Sequence, residues 1–400
     1  MLERGNERKT MTNRPMTNTI HNRIRATVRL VTCVIAAATT LNAQQAGSNS
    51  QIHELLYVID TDHQDRDGKA QVLVVDPLRK VIVKTYRAGY HPDLAVSHDG
   101  KRLYLSSSPP SGQVENGTLE VIDTTTGTTV ASVSQPDRVF DTFDDVVSHM
   151  ALSGDGHLLY VARIKDLGNG EVSYGVAVFD ADTNKFLPDV VSLPRCDAGL
   201  LLPSREGRTL SVICPGTRDV RTTQFDDKGV PLTRLPAGIP LNLRTAQNIE
   251  ISTAFQSGDN EITVVLADGS YSRINLRARK SVQQGMIEFS PPLKANNRIV
   301  GPYETPVWQG KILLVIAGGD DFRDKGLASA VAVLNLKSFQ QEDFIEPGKL
   351  FSNVAIGSDG TVFLADPSNA TIYILGLPDG TQKDKIEGIG VSPTIVIPSP

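Results

Sequence analysis

The chain has 400 residues, 40% of them hydrophobic and 6% aromatic, enough for a sizeable core and too apolar for a disordered chain. It carries 40 Lys and Arg against 45 Asp and Glu, and residues 1–43 hold seven of the former and only two of the latter, so the remainder sits near −10. An acidic body excludes binding led by a nucleic-acid phosphate backbone, which needs a basic face.

The first predicted element is a targeting segment. Arg23, Arg25 and Arg29 precede the short apolar run Leu30–Leu41, and Leu41-Asn42-Ala43 offers a small residue for cleavage before Gln44. The run is shorter than the roughly 20 residues that cross a bilayer. Residues 1–43 therefore read as a cleaved signal peptide of an exported protein, the alternative being a buried helix or an anchor. Cys33 lies inside the run with apolar residues after it, which argues against lipid attachment. No later stretch is long and apolar enough to span a membrane. Residues 44–54 form a short arm, and 55–400 a single domain.

From residue 55 a unit recurs. Its core is an alternating strand ending in Asp, a turn, another strand, then a Ser-x-Asp-Gly turn. Val72–Asp76 leads to Val81–Tyr86 and His98-Asp99-Gly100; Leu119–Asp123 leads to Thr129–Val133 and Gly154-Asp155-Gly156; Val331–Leu336 leads to Phe344–Glu346 and Ser358-Asp359-Gly360. Asp-Gly tolerates the positive φ of tight hairpins, and the flanking runs are rich in Val, Ile and Leu. The units cover 55–87, 93–135, 149–193, 199–237, 248–282, 305–347 and 352–387. Seven units at propeller-blade spacing predict an all-β, seven-bladed propeller, with a six- or eight-bladed ring or a sandwich pair as alternatives. Pro393–Pro398 is a surplus first strand, while the first unit starts one strand short at Leu55. The one can complete the other and close the ring.

Beyond the signal, Cys196 and Cys214 form an even pair flanking two predicted strands, Leu200–Pro203 and Leu210–Cys214. In an exported protein they are either a disulfide or two buried thiols, and no His or Cys cluster marks them as metal ligands. Haem, nucleophile-elbow and phosphate-loop motifs are absent. His98 and His157 fall in Asp-Gly turns. Asp144-Asp145, Asp226-Asp227 and Asp320-Asp321 lie in loops and read as solvated. The Asp60–Gly68 stretch resembles a calcium loop but lacks the closing Glu and a following helix. Ser107–Gly117 and Gly318–Ala328 are longer than a blade turn needs, and the second mixes both charges around Phe322.

Four stretches are similar to the heavy subunit of methylamine dehydrogenase and its aromatic-amine relatives: Gly89–Val96 with Asp99-Gly100; Leu119–Asp123 through Leu152–Gly156; Pro194-Arg195-Cys196 to Cys214; and Asp320–Lys325 with Ala328-Ser329 and Val331–Leu334. The likeness is distant and spans Leu55 to Pro398. It implies a periplasmic complex of two heavy and two light chains. The light chain carries tryptophan tryptophylquinone and oxidises primary amines, and electrons pass to a blue-copper protein. The heavy chain is a cofactor-free disc. By this resemblance Tyr90, with His91, Pro92 and Asp93, lines the substrate channel, and Asp320, Asp321, Phe322, Arg323 and Lys325 belong to a partner interface. Tyr90 as an ordinary inter-blade turn residue is the other reading. The family's Pro-Gly-Gly-Trp-Gln and Tyr-Pro-Trp segments are missing. A propeller that binds or scaffolds without a redox role is the second function expected, and a self-sufficient propeller enzyme the third.

Overall fold

The computed structural model describes residues 54–61, 70–108, 117–135, 150–168, 171–196, 200–243, 250–293, 297–301, 306–318, 327–377 and 380–398. Within them the chain forms strands β1 to β29 and no helix. Seven antiparallel sheets result, each a blade. Blade 2 runs β4 (Tyr90–Val96), β5 (Arg102–Ser108), β6 (Thr118–Asp123), β7 (Thr128–Ser134). Blade 3 runs β8 (Met150–Leu152), β9 (Leu158–Gly168), β10 (Glu171–Asp180), β11 (Lys185–Ser192). Blade 4 is β12 (Leu200–Pro203), β13 (Thr209–Cys214), β14 (Asp219–Gln224), β15 (Gly238–Pro240), and blade 5 is β16 (Ile251–Gly258), β17 (Glu261–Leu266), β18 (Ser270–Asn275), β19 (Lys280–Met286). Blade 7 is β25 (Asn353–Ile356), β26 (Thr361–Asp366), β27 (Thr371–Gly376), β28 (Gln382–Glu387). First strands of successive blades neighbour one another around the axis, and fourth strands such as β7 and β19 are largely exposed, so each blade is laid down from the axis outward.

The apolar residues explain the ring. Both faces of each inner strand pair are buried, as in Leu313–Ala317 and Val362–Ala365. Among the described residues they sort into seven clusters, each drawn from two consecutive blades, so every blade buries one face against each neighbour. Large side chains bridge the seams: Tyr104 of blade 2 meets Phe179 of blade 3 edge-on at 6.3 Å, and Tyr160 of blade 3 lies 5.0 Å from Phe225 of blade 4.

The repeated turns behave as their chemistry demands. At the end of the third strand in blades 1, 2, 3, 5 and 6 an Asp or Asn accepts from backbone N–H groups of the turn: Asp76 from Leu78 and Arg79, Asp123 from Thr126, Asp180 from Asp182 and Thr183, Asn275 from Ala278, Asn335 from Lys337 and Ser338. The turn ends on a positive-φ residue, such as Lys80, Gly127 or Asn184, and the following pair of strands carries a bulge. In the Ser-x-Asp-Gly turns Ser153 Oγ donates to Asp155 Oδ1 (2.6 Å) and accepts from Leu158 N (3.0 Å).

Closure is by the C-terminal strand. Blade 1 has the order β29 (Pro393–Pro398), β1 (Leu56–Thr61), β2 (Ala70–Asp76), β3 (Val81–Arg87), with Tyr57 opposite Ile397 and Val58 opposite Val396. Asp60 locks the joint: its buried carboxylate accepts from Val391 N (3.0 Å), Ser392 N (2.5 Å) and Gln71 Nε2 (2.7 Å).

The sixth blade departs from the expected span. Its first strand is β20 (Asn297–Val300), upstream of residue 305, and the chain then inserts the two-residue β21 (Val307–Trp308) before β22 (Lys311–Gly318), β23 (Ala330–Asn335) and β24 (Gln341–Ile345). β20 is four residues long and bracketed by Pro291, Pro292 and Pro302, so its alternation is too short to stand out from the prolines around it.

Candidate functional site

Strand alternation gives the ring two unlike ends. At one end, connections from first to second and from third to fourth strands are two to five residues long, except 225–237 and 301–310. From the other end leave the longer connections 62–69, 109–117, 135–149 and 319–329. Both long loops singled out in the sequence, and the start of β4 at Tyr90, belong to this second end. Loops on a rigid scaffold carry function more often than its short turns do.

Tyr90 is the first residue of β4, the innermost strand of blade 2, and is half-buried. It pairs with Ser108, and a bulge then brings Asp93 opposite Ser106. His91 falls on the strand with its side chain outside the described residues, and Pro92 is half-buried. Asp93 is buried, and its Oδ1 accepts from Leu94 N (2.7 Å). Pairing puts Asp93 and Ser106 on the sheet face that carries Ala95 and Tyr104 into the blade 2–blade 3 seam. Gln135, also buried, donates through Nε2 to Ser106 Oγ (2.7 Å) and Thr118 O (3.1 Å), and its Oε1 has no partner among the described residues. Arg163 of β9, two residues beyond Val161 on the facing side of blade 3, reaches the same end by register. An otherwise apolar seam is therefore capped at this end by polar groups rich in acceptors.

The Gln135 part of that cap was not singled out in the sequence, where a Gln before Pro136 in a turn-rich stretch carries no periodic signal. Asp320, Asp321, Phe322, Arg323 and Lys325 lie outside the described residues; the strand ends on either side of them, Gly318 of β22 and Ala330 of β23, belong to the Tyr90 end. So does the disulfide. Cys196 and Cys214 are bonded, with Cα atoms 4.5 Å apart, which ties the blade 3–blade 4 connection to the end of β13. Both sulfurs are buried in the seam cluster. The apolar recess beside them, lined by Tyr174, Leu193, Leu201 and Val212, has room for about one water molecule, too little for a substrate.

The opposite end is a belt of inter-blade hydrogen bonds. His98 Nε2 donates to Ser153 O (3.0 Å), Arg208 binds Asp155 (2.5 Å), Gln256 donates to Pro203 O (2.6 Å), Trp308 Nε1 donates to Ser358 O (3.1 Å), and Ser358 N donates to Glu54 (2.9 Å). His157 pairs with Asp182 at the surface, and Asp226 caps Lys228 N and Val230 N. These histidines and acids are occupied in holding turns. Burial pushes Asp155 up, but the Ser153 hydroxyl, Arg208 and His157 N outweigh it and hold its carboxyl below the usual range. The Ser97 hydroxyl and the Lys101 N–H bring exposed Asp99 down to about 2. Burial raises Glu54, with Ser358 N opposing and Asp359 adding to the rise. Among the described residues no three His, Cys, Asp or Glu converge as a metal site, and no helix is long and apolar enough to cross a membrane.

No family model and no curated protein matches the chain. Solved structures similar to it are β-propellers at low identity. Apo AztD from Citrobacter koseri aligns with a TM-score of 0.53 at 12% identity over 86% of this chain and 97% of that one. The Cps50 (Swd1) β-propeller domain from Myceliophteria thermophila gives 0.52 at 13% identity over 77% and 90%. U3-55K gives 0.50 at 13% identity over 75% and 83%. At these identities the likeness establishes the propeller fold alone.

Proposed function

We propose that this propeller is the cofactor-free heavy subunit of a quinone-dependent amine dehydrogenase, a scaffold that docks a small quinone-bearing chain against its Tyr90 end. The observation that carries the reading is the gathering at one end of the ring of Tyr90–Asp93, the disulfide and the strand ends flanking 319–326, segments that lie far apart in sequence and that carry the family resemblance. In this reading Tyr90, half-buried at the start of an innermost strand, walls the passage to the quinone, and the buried Asp93, Ser106 and Gln135 support the strand start.

The quinone belongs to the partner. A tryptophan tryptophylquinone needs two tryptophans, and this chain has one, Trp308, engaged at the opposite end with Ser358 O. When bound, the partner's quinone supplies the oxidation of a primary amine, and a blue-copper protein takes the electrons in the periplasm. This chain's residues exclude water and position the partner.

Co-expression with a small Cys-rich neighbour is the test. Co-purification and amine-dependent dye reduction are expected, and Tyr90→Ala is expected to lower amine turnover about tenfold while the complex stays assembled. A lone ring with no amine oxidation would overturn the reading and leave a binding scaffold without redox activity.

A further inference from the structure

Fourth strands form the outer rim of the ring, and six of the seven are protected in recognisable ways. β15 is flanked and ended by Pro236 and Pro240, and the connection before it exposes Leu232 and Leu235, set apart by Thr233 and Arg234; β24 and β28 carry acids or alternating charges; β7 exposes one large apolar residue, Val130; β11 exposes none; β19 exposes Val282 and Met286, set apart. Prolines, charges and isolated apolar residues are how natural edges avoid unwanted contacts. β3 breaks the pattern. Val81, Ile82 and Val83 are consecutive and exposed at 44%, 39% and 48%, and Leu78 in the preceding turn is 66% exposed. Val81 and Ile82, paired with Asp76 and Val75, point to opposite faces, so both faces of this edge offer aliphatic surface.

The charge around the strip is one-sided. Arg79, Lys80, Lys84 and Arg87 punctuate the Leu78–Arg87 segment on a chain that is acidic overall. Lys80 pairs with Asp384 of blade 7 and Arg79 leans toward Asp76. Lys84 makes only a carbonyl contact with Thr126 O and a contact over the Tyr86 ring, and neither it nor Arg87 has a carboxylate partner among the described residues. A second copy pairing through the same strip would set these cations against themselves. The bulge that the β2–β3 register makes at Val83 interrupts the outer ladder, so side chains rather than a continuous backbone ladder form the contact.

We propose that the outer edge of blade 1 is a docking strip for an acidic segment of another protein, anchored by aliphatic residues over Val81–Val83 and by carboxylates on Lys84 and Arg87. The aliphatic part of the strip, Val81–Val83, lies on the rim at the start of β3, away from the Tyr90 end toward which Arg87 leads, and the proposal does not rest on the amine dehydrogenase reading.

The probe is a short fluorescein-labelled peptide alternating Glu with Val and Leu, compared with its Lys-for-Glu counterpart by fluorescence anisotropy on the full chain. The acidic peptide is expected to bind, to weaken as salt rises, and to lose at least about tenfold in affinity with Ile82→Asp or Lys84→Glu. Both positions sit on the outer edge, and unchanged thermal midpoints would certify the variants' fold; Val83→Ser serves if either is unstable. Equal binding of the two peptides, or binding indifferent to the variants, would overturn the proposal. So would concentration-dependent dimerisation abolished by Ile82→Asp, which assigns the strip to a second copy, or binding to phosphatidylserine vesicles in place of the peptide.

Discussion

Asp60 is the residue on which the ring most depends for its size. Its carboxylate is buried and satisfies the backbone N–H groups of Val391 and Ser392, which lead into β29, and the Gln71 amide. Asp60→Ala would strand these donors in the interior, where each buried unsatisfied group costs about 1–3 kcal/mol. A loss of about 3 kcal/mol in unfolding free energy, read by urea titration, is the expected outcome. The turn acids make a separate, pH-dependent contribution. Asp99 and Asp155 have depressed folded pKa values, so their stabilisation is present above the unfolded carboxylate range and is lost as pH falls through the folded values, toward about 2 for Asp99. The urea midpoint is therefore expected to fall between roughly pH 4 and pH 2, and Asp155→Asn is expected to flatten that fall. Asp60 itself was not legible in the sequence, where it heads an Asp-rich stretch that resembles a calcium loop but lacks the closing Glu and the following helix. Its backbone partners Val391 and Ser392 stand more than three hundred residues away, and no local pattern can announce them.

At the scale of the element, the turn residues explain themselves while the seams assign their neighbours. Gly100 and Gly360 occupy the same place in the Ser-x-Asp-Gly type of turn, with φ of +68° and +85°. A Cβ on Gly100 would meet nothing within 4 Å, whereas one on Gly360 would meet the Trp308 ring at 2.5 Å. Gly100→Ala is expected to cost about 1 kcal/mol from backbone strain alone. Gly360→Ala is expected to cost at least about 2 kcal/mol, because the blade 6 tryptophan must also give way. Differential scanning calorimetry of the pair separates the two effects. The turn was legible because Asp-Gly between alternating runs has a mechanism; the tryptophan above it was not, because β21 is an insertion of two residues. The first strand of blade 6 was hidden for a similar reason, since four residues among prolines give no measurable period. The disulfide closes a loop of 18 residues, and replacing both cysteines by Ala is expected to cost about 3 kcal/mol by chain entropy, measured by denaturant unfolding.

For the whole molecule, seven blades and the joining of the ring by Pro393–Pro398 were readable from the repeat and from one surplus strand, whereas the outward order of strands within a blade came from the structure. Which end gathers the long loops was not readable, because it depends on how antiparallel strands distribute their connections once the ring exists. Removing 393–398 is expected to expose the Leu56–Thr61 edge and the apolar groups of two seams at once. The outcome should be an oligomerising, protease-sensitive species in place of a slightly less stable monomer, visible by light scattering and limited proteolysis.

The joint between β1 and β29 also imposes a schedule on biosynthesis. Ile59 O and Thr394 Oγ1, hydrogen-bond partners at 3.2 Å, are 335 residues apart. As the chain emerges from the ribosome, blade 1 is made first and finished last, and its inner edge stays open while six later blades are produced. Holding that edge soluble falls to whatever accompanies the nascent chain. A circular permutant that begins at residue 388 and joins the old ends would make blade 1 in one piece and shed that dependence.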